Sequence, residues 1–225
     1  MMHHEQNARR RGTTMVELLV AALIMTTVLG AIGVTVMAGT RNYEEGVARA
    51  DVDAQARRLV SRIAEEFLTA SETSCDPVTV WTSGGADDGG FVEFRYSQVL
   101  GAPAGVALLG PTRSVRLDYA QGELDDGLDN NGNGLVDECR ILLCQDTATG
   151  PEIAIGGFVR EFLQGEVGGN DADDNGNGLD DERGLCMTFD PDTHTLMVRL
   201  TIERLTSQGR LVTSTAETAV LLRND

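Results

Sequence analysis

Arg9-Arg10-Arg11-Gly12-Thr13-Thr14-Met15-Val16-Glu17 runs directly into Leu18-Leu-Val-Ala-Ala-Leu-Ile-Met-Thr-Thr-Val-Leu-Gly-Ala-Ile-Gly-Val-Thr-Val-Met-Ala38, a stretch of 21 residues without a charged side chain. At about 1.5 Å per residue, a helix of this length spans roughly 31 Å, close to the roughly 30 Å of a bilayer's hydrocarbon core. It is longer than the roughly 7–15 apolar residues of a secretory signal, and no Ala-x-Ala cleavage site follows it. A buried core helix is the alternative, but such helices seldom run this far without a charge. The arginines lie on the N-terminal side. The positive-inside rule therefore predicts a cytoplasmic N-terminus, with everything after about residue 40 beyond the cytoplasm. Glu17 stands at the apolar edge. At mid-membrane a carboxylate costs about 2.5–3.5 kcal/mol, a cost it escapes by snorkelling to the headgroups.

Working outward, residues 41–68 lack proline and carry one interior glycine, Gly46. Tyr43, Val47, Ala50, Ala54, Val60, Ile63 and Phe67 recur at steps near three and four, while Arg57, Arg58, Arg62, Glu65 and Glu66 are expected to face water. One helix from about Thr14 to Leu68 is predicted, with an upper half that needs a surface to cover its stripe. Strand-like segments supply that surface: 91–96, 114–119 and 196–202, with 210–215 folding back across Ser207-Gln208-Gly209 as a hairpin. Residues 83–90 and 101–105 read as loops.

The run from Arg9 to Val20 resembles the class III signal of type IV prepilins and pseudopilins. The resemblance implies that a membrane peptidase cuts between Gly12 and Thr13. The new N-terminus is then methylated, and the helix stays as anchor and later as filament core. Glu17 falls at the fifth position of the mature chain, where the family has its glutamate, although the family usually has Phe or Met where this chain has Thr13. In a stack of subunits, the amine of one chain can pair with Glu17 of the next, offsetting the desolvation of both charges. Glu17 is therefore assigned to assembly. Ile153–Phe162 and the segment Thr218–Asn224, which closes in Leu-Arg-Asn, are similar to segments of J-type minor pseudopilins and W-type minor pilins. The implied fold is α+β, a long N-terminal transmembrane and amphipathic helix packed on antiparallel β-sheet. The domains read as a leader at 1–12, a membrane helix at 13–39, its amphipathic continuation at 40–70 and a β-rich extracytoplasmic domain at 71–225.

Two acidic loops interrupt that domain. Residues 129–138, Asp-Asn-Asn-Gly-Asn-Gly-Leu-Val-Asp-Glu, recur 44 positions later at 173–182 with eight of ten residues identical. Oxygen side chains at positions 1, 3 and 5 followed by glycine at 6 match the first half of an EF-hand-type calcium loop. The expected ligands are Asp129, Asn131, Asn133, the Leu135 carbonyl, Asp137 and Glu138. In the second loop they are Asp173, Asn175, Asn177, the Leu179 carbonyl, Asp181 and Glu182. Position 12 holds Arg140 and Gly184 in place of the bidentate glutamate, so these are not EF-hands. Asp125 or Asp126, and Asp171, are candidates to complete the shells, and plain Asn-Gly turns are the alternative. Calcium, at two sites, is the one cofactor expected.

Cys75, Cys139, Cys144 and Cys186 lie in the extracytoplasmic part, where disulfides form. Cys139–Cys144 and Cys75–Cys186 are the expected pairs, with free thiols as the alternative. The basic residues number 18, all arginine, against 35 acidic ones, for a net charge of −17. That balance argues against nucleic acid as the main partner. Absence of lysine excludes a Walker A motif and Schiff-base chemistry. There is no Gly-x-Ser-x-Gly, and His194 reads as an exposed turn residue, so no enzyme is expected. The expectation is a single-pass inner-membrane subunit, N-terminus inside, that helps to initiate or cap a type II secretion pseudopilus or type IV pilus. Its partners would be other pilin-like subunits, the prepilin peptidase and the membrane. The rival expectation is a membrane-anchored, calcium-dependent binding module, an adhesin or cargo receptor.

Overall fold

A computed structural model describes residues 14–75, 93–170, 172–190 and 192–222. The leader, the Gly12–Thr13 junction, the loop at 83–90, Phe91 and Val92, Asp171 and the closing Arg223-Asn224 lie outside the described residues. The chain divides into two compact units, Met1–Glu45 and Gly46–Asp225.

Helix α1 spans Met15–Phe67, 53 residues, within one residue of the expected bounds at each end. In the first unit every described residue from Thr14 to Glu44 is exposed. In the second unit the helix buries Val52, Ala56, Leu59, Val60, Ile63 and Phe67. Val60, Ile63 and Phe67 are buried as expected, and the rest of the expected stripe is corrected. Tyr43 and Val47 are 74% and 50% exposed, and Ala50 and Ala54 face solvent as well. Glu66 also departs from expectation. Its carboxylate accepts hydrogen bonds from the Tyr96 hydroxyl at 3.1 Å and the Arg113 guanidinium at 2.8 Å.

Among the described residues, seven antiparallel strands form one sheet: β1 (Glu93–Gly101), β2 (Leu108–Tyr119), β3 (Cys139–Cys144), β4 (Glu152–Val159), β5 (Leu185–Asp190), β6 (Thr195–Leu205) and β7 (Leu211–Leu221). The sheet runs β1-β2-β3-β4-β6-β5, with β7 also paired to β6. The expected hairpin is present, with β6 and β7 in register from Thr195↔Leu221 to Leu205↔Leu211. Along β6, Leu196, Val198, Leu200 and Ile202 are buried in alternation, the period-2 pattern of a strand with one face on the core. They join Phe94, Tyr96, Val115, Leu117 and Ile141, together with the helix stripe, in one hydrophobic cluster. The Phe67 and Tyr96 rings lie 4.5 Å apart, and Leu59 fills the space over Gly156 that a side chain would occupy.

Because β7 pairs with β6 along its whole length, β4 and β5 must share the opposite edge. β5 meets Thr195 to Leu200, and β4 meets Ile202 through Val159. Thr201 sits at this seam. Its carbonyl accepts the Arg160 N–H at 3.0 Å, and its N–H donates to Gly184 at 2.8 Å.

The expected Cys139–Cys144 bridge is corrected. The two residues stand at opposite ends of β3, which at about 3.3 Å per residue separates them by roughly 16 Å, far beyond the roughly 7 Å that a disulfide tolerates. All four cysteines, including the expected partners Cys75 and Cys186, are buried, and no disulfide joins them.

Candidate functional site

Between Leu18 and Ala38 the first unit offers an uncharged helical surface. Its threonines satisfy their hydroxyls within the helix: Thr26 donates to the Leu23 carbonyl at 2.9 Å, Thr27 to Ile24 at 2.8 Å and Thr35 to Ala31 at 2.9 Å. With those groups internally paired, nothing polar in the run demands water. The chain thus has one N-terminal helix long and apolar enough to cross a membrane, as in a single-pass membrane protein.

Glu17 lies in the first turn of α1 and makes a reciprocal cap. Its Oε2 accepts the Thr14 N–H at 2.8 Å, and its own N–H donates to the Thr14 hydroxyl at 3.3 Å. This is the capping box, in which a Ser or Thr and a Glu or Gln three residues on satisfy two helix-end donors. The sequence reading missed this intrachain partner, although Thr-x-x-Glu is legible at 14–17. No side chain other than Thr14 engages Glu17 among the described residues.

The two acidic loops are connections in the second unit. The first joins β2 to β3, with the Ala120 N–H donating to the Glu138 carbonyl at 2.9 Å. The second leaves β4 and returns at β5, fastened by the Leu163 N–H to the Glu182 carbonyl, also at 2.9 Å. Inside each, the leading aspartate organises the turn. Asp129 accepts the N–H groups of Gly132 (2.7 Å), Asn133 (3.1 Å) and Gly134 (2.7 Å). Asp173 repeats this with Gly176 (2.6 Å), Asn177 (3.0 Å) and Gly178 (2.7 Å), and these N–H groups hold its carboxyl below the usual range. Glycines 132, 134, 176 and 178 have φ between 75° and 91°, conformations a side chain would resist. Asn131 and Asn133 each accept the backbone N–H two residues on, at 3.0 and 2.8 Å, and Asn175 and Asn177 do the same at 3.0 Å each.

The amides of both asparagines converge on the glutamate that ends the loop. Asn131 and Asn133 donate to Glu138 Oε1 at 2.7 and 2.5 Å, and Asn175 and Asn177 donate to the Glu182 carboxylate at 3.5 and 2.5 Å. Two carboxylates that the sequence reading left out complete the arrangement. Glu123 accepts the Asn131 N–H at 2.8 Å, and Glu166 accepts the Asn175 N–H at 3.1 Å. Both are buried, as are Glu138 and Glu182. The signal for them was a Gly-Glu pair ahead of each loop, at 122–123 and 165–166. Glu123 precedes Asp129 by six residues but Glu166 precedes Asp173 by seven, so an ungapped comparison of the loops passes over them.

The other expected ligands stand elsewhere. Asp137 accepts the Gly127 N–H at 3.0 Å and Asp181 the Asn170 N–H at 3.4 Å, each with φ near +50°. Asp126 accepts the Asn130 amide at 2.9 Å, and Asp125 faces the Tyr119 hydroxyl. No group of three or more His, Cys, Asp or Glu side chains gathers as a metal cluster among the described residues. Each loop instead presents two glutamates with amide and backbone oxygens. Burial pushes the Glu182 carboxyl up, and the neighbouring Glu166 adds to the rise. His194 is half-exposed in its turn, its Nδ1 2.7 Å from Glu72.

Neither known protein families, nor curated proteins, nor solved structures match this chain. A long N-terminal apolar helix that continues onto an antiparallel sheet is compatible with a pilin-like fold, and function rests on the residues alone.

Proposed function

We propose that the chain is a minor pilin or minor pseudopilin, a structural subunit that helps to initiate or cap a membrane-rooted helical filament of the type II secretion or type IV pilus kind. One observation carries the reading. A single unbroken helix, Met15–Phe67, is apolar and exposed in its first part and buries a stripe on an antiparallel sheet in its second. A simple membrane anchor has no need of that continuity, whereas a filament subunit uses the exposed half twice, first against lipid and later against neighbouring helices. The Gly12 to Glu17 spacing adds the processing step. Cleavage after Gly12 leaves Thr13 as a cationic terminus beside the Thr14–Glu17 cap, and that amine and the Glu17 carboxylate of an adjacent subunit neutralise one another within the apolar bundle.

The test is production of the full chain in a host that carries a prepilin peptidase and a filament system, with N-terminal mass spectrometry and isolation of sheared filaments. The mature chain is expected to begin at methylated Thr13. Glu17→Gln and Glu17→Val separate charge from cap, because glutamine preserves a capping box and valine does not. Both variants are expected to be processed and both to be missing from filaments. Normal incorporation of Glu17→Gln would refute the charge-pairing mechanism, and a mature chain starting at Met1 would refute the processing.

A further inference from the structure

Two oxygen atoms in the second unit are out of place. Glu138 Oε2 and Glu166 Oε2 are fully buried and accept no hydrogen bond. Their side chains belong to residues only 1% and 2% exposed. A buried carboxylate oxygen without a donor is a costly arrangement that folded proteins rarely keep. Here it occurs twice, at Glu138, which ends the first repeat, and at Glu166, which precedes the second. Glu138 lies under the first loop with its other oxygen held by Asn131 and Asn133, and Glu166 lies under the second with its other oxygen on the Asn175 N–H.

The partner glutamates deepen the imbalance. Glu123 and Glu138 both bond to Asn131, and Glu166 and Glu182 both bond to Asn175. Each loop therefore brings two buried carboxylates around one asparagine. None of the four forms an ion pair with an arginine among the described residues, although arginines 160 and 183 lie close by, committed to Glu203 and Glu161. A buried pair of glutamates per loop, with no arginine partner among the described residues, suits one divalent cation per loop.

The chemistry of the donors selects the cation. Sulfur and imidazole are absent from both loops, and the offered atoms are carboxylate, amide and backbone oxygens. The asparagine Oδ1 atoms accept one backbone N–H each and retain a second lone pair. An all-oxygen, irregular set drawn from a glycine-rich turn suits calcium, which takes six to eight oxygens and tolerates uneven geometry. Magnesium demands a near-ideal octahedron.

We propose that each acidic loop is a calcium site whose charge is supplied by a buried glutamate pair, Glu123 with Glu138 in the first and Glu166 with Glu182 in the second. Asp137 and Asp181 shape the loops through backbone bonds and are not ligands. Calcium locks the β2–β3 connection and the return into β5. The sites stand independently of membrane insertion and filament assembly.

The test uses the full-length chain in detergent, stripped with chelator and titrated calorimetrically with calcium chloride. Two equivalents are expected, with dissociation constants of about 10⁻⁴–10⁻³ M, the range of extracellular modules. Glu138→Gln or Glu182→Gln is expected to leave one equivalent, and the double variant none. Calcium is expected to raise the Tm of the wild type and not of the double variant. Should the glutamine variants fail to fold by circular dichroism, Asn133→Asp and Asn177→Asp decide. Each adds a ligand charge and is expected to tighten its own site several-fold, a gain that misfolding cannot imitate. Absence of calcium heat and of any Tm shift in the folded wild type at millimolar calcium would overturn the proposal. Unchanged stoichiometry in a folded double variant would do the same, and a magnesium response equal to that of calcium would overturn the choice of ion.

Discussion

Glu203 on β6 is 5% exposed, and the nearest cation, the Arg160 guanidinium, stands 3.9 Å away. Burial pushes its carboxyl up to about 7, with Arg160 pulling down and Glu138 pushing further up. The folded chain thus keeps a proton that the unfolded chain has released between about pH 4.5 and 7. More protons bound by the folded state mean that stability falls as pH rises through that window and levels above it. With chelator present, Glu203→Gln is expected to raise the Tm at pH 7.5, by the equivalent of up to about 3 kcal/mol, with the gain vanishing near pH 4.5. Melting curves across pH check both slope and sign. The cysteines give a second prediction at this scale. Burial, helped by Glu72, pushes the Cys75 thiol up to about 12, and burial raises Cys139 as well. A thiol so held is a poor nucleophile. Ellman's reagent is expected to find four thiols in unreduced, denatured protein and to react with the native chain orders of magnitude more slowly. A count of two or none would mean that bridges form.

Among the elements, the helix stripe and the β4–β5 seam carry the strongest packing demands. Phe67→Ala and Ile63→Ala each remove a fully buried side chain from the cluster beneath the sheet, at an expected cost of about 3–5 and 2–5 kcal/mol in chemical denaturation. Gly184 is constrained differently, since a Cβ built there would meet the Arg160 carbonyl oxygen at 1.6 Å. Backbone cannot yield as a side chain can. Gly184→Ala is expected to open the seam and cost at least about 1–3 kcal/mol, seen as a lowered Tm. Elements differed in how far their sequences disclosed them. Helix α1 was legible because length, missing proline and uninterrupted apolarity all agree. Its buried face was legible only at Val60, Ile63 and Phe67, because Tyr43-Val47-Ala50-Ala54 and Val52-Ala56-Leu59 are both stepped by three and four, and only the sheet chooses between them. β6 and β7 alternate and close on a Gly209 turn, so they showed. β3 and β5 went unread, because Cys-Arg-Ile-Leu-Leu-Cys and Leu-Cys-Met-Thr-Phe are short runs, buried nearly throughout, with no period to detect.

At the scale of the whole molecule, the chain pairs an apolar surface with an acidic body. The division at 45/46 falls inside α1, six residues from the expected 39/40 boundary, because packing begins only where the helix first meets other parts of its own unit. The acidic loops were legible as a repeat, and their leading aspartates organise each turn by accepting backbone N–H groups. Their buried glutamates were not legible, since burial of Glu123 and Glu166 depends on the strands beneath them rather than on neighbours in sequence. Thr201 draws these scales together. The backbone of this one residue bonds through its carbonyl to Arg160 and through its N–H to Gly184, the two ends of the chain segment that carries the second loop. Its amide hydrogen therefore reports whether that segment is closed. In deuterated buffer it exchanges only when the Gly184 contact breaks, so its protection against solvent measures the opening equilibrium of the loop at a single atom.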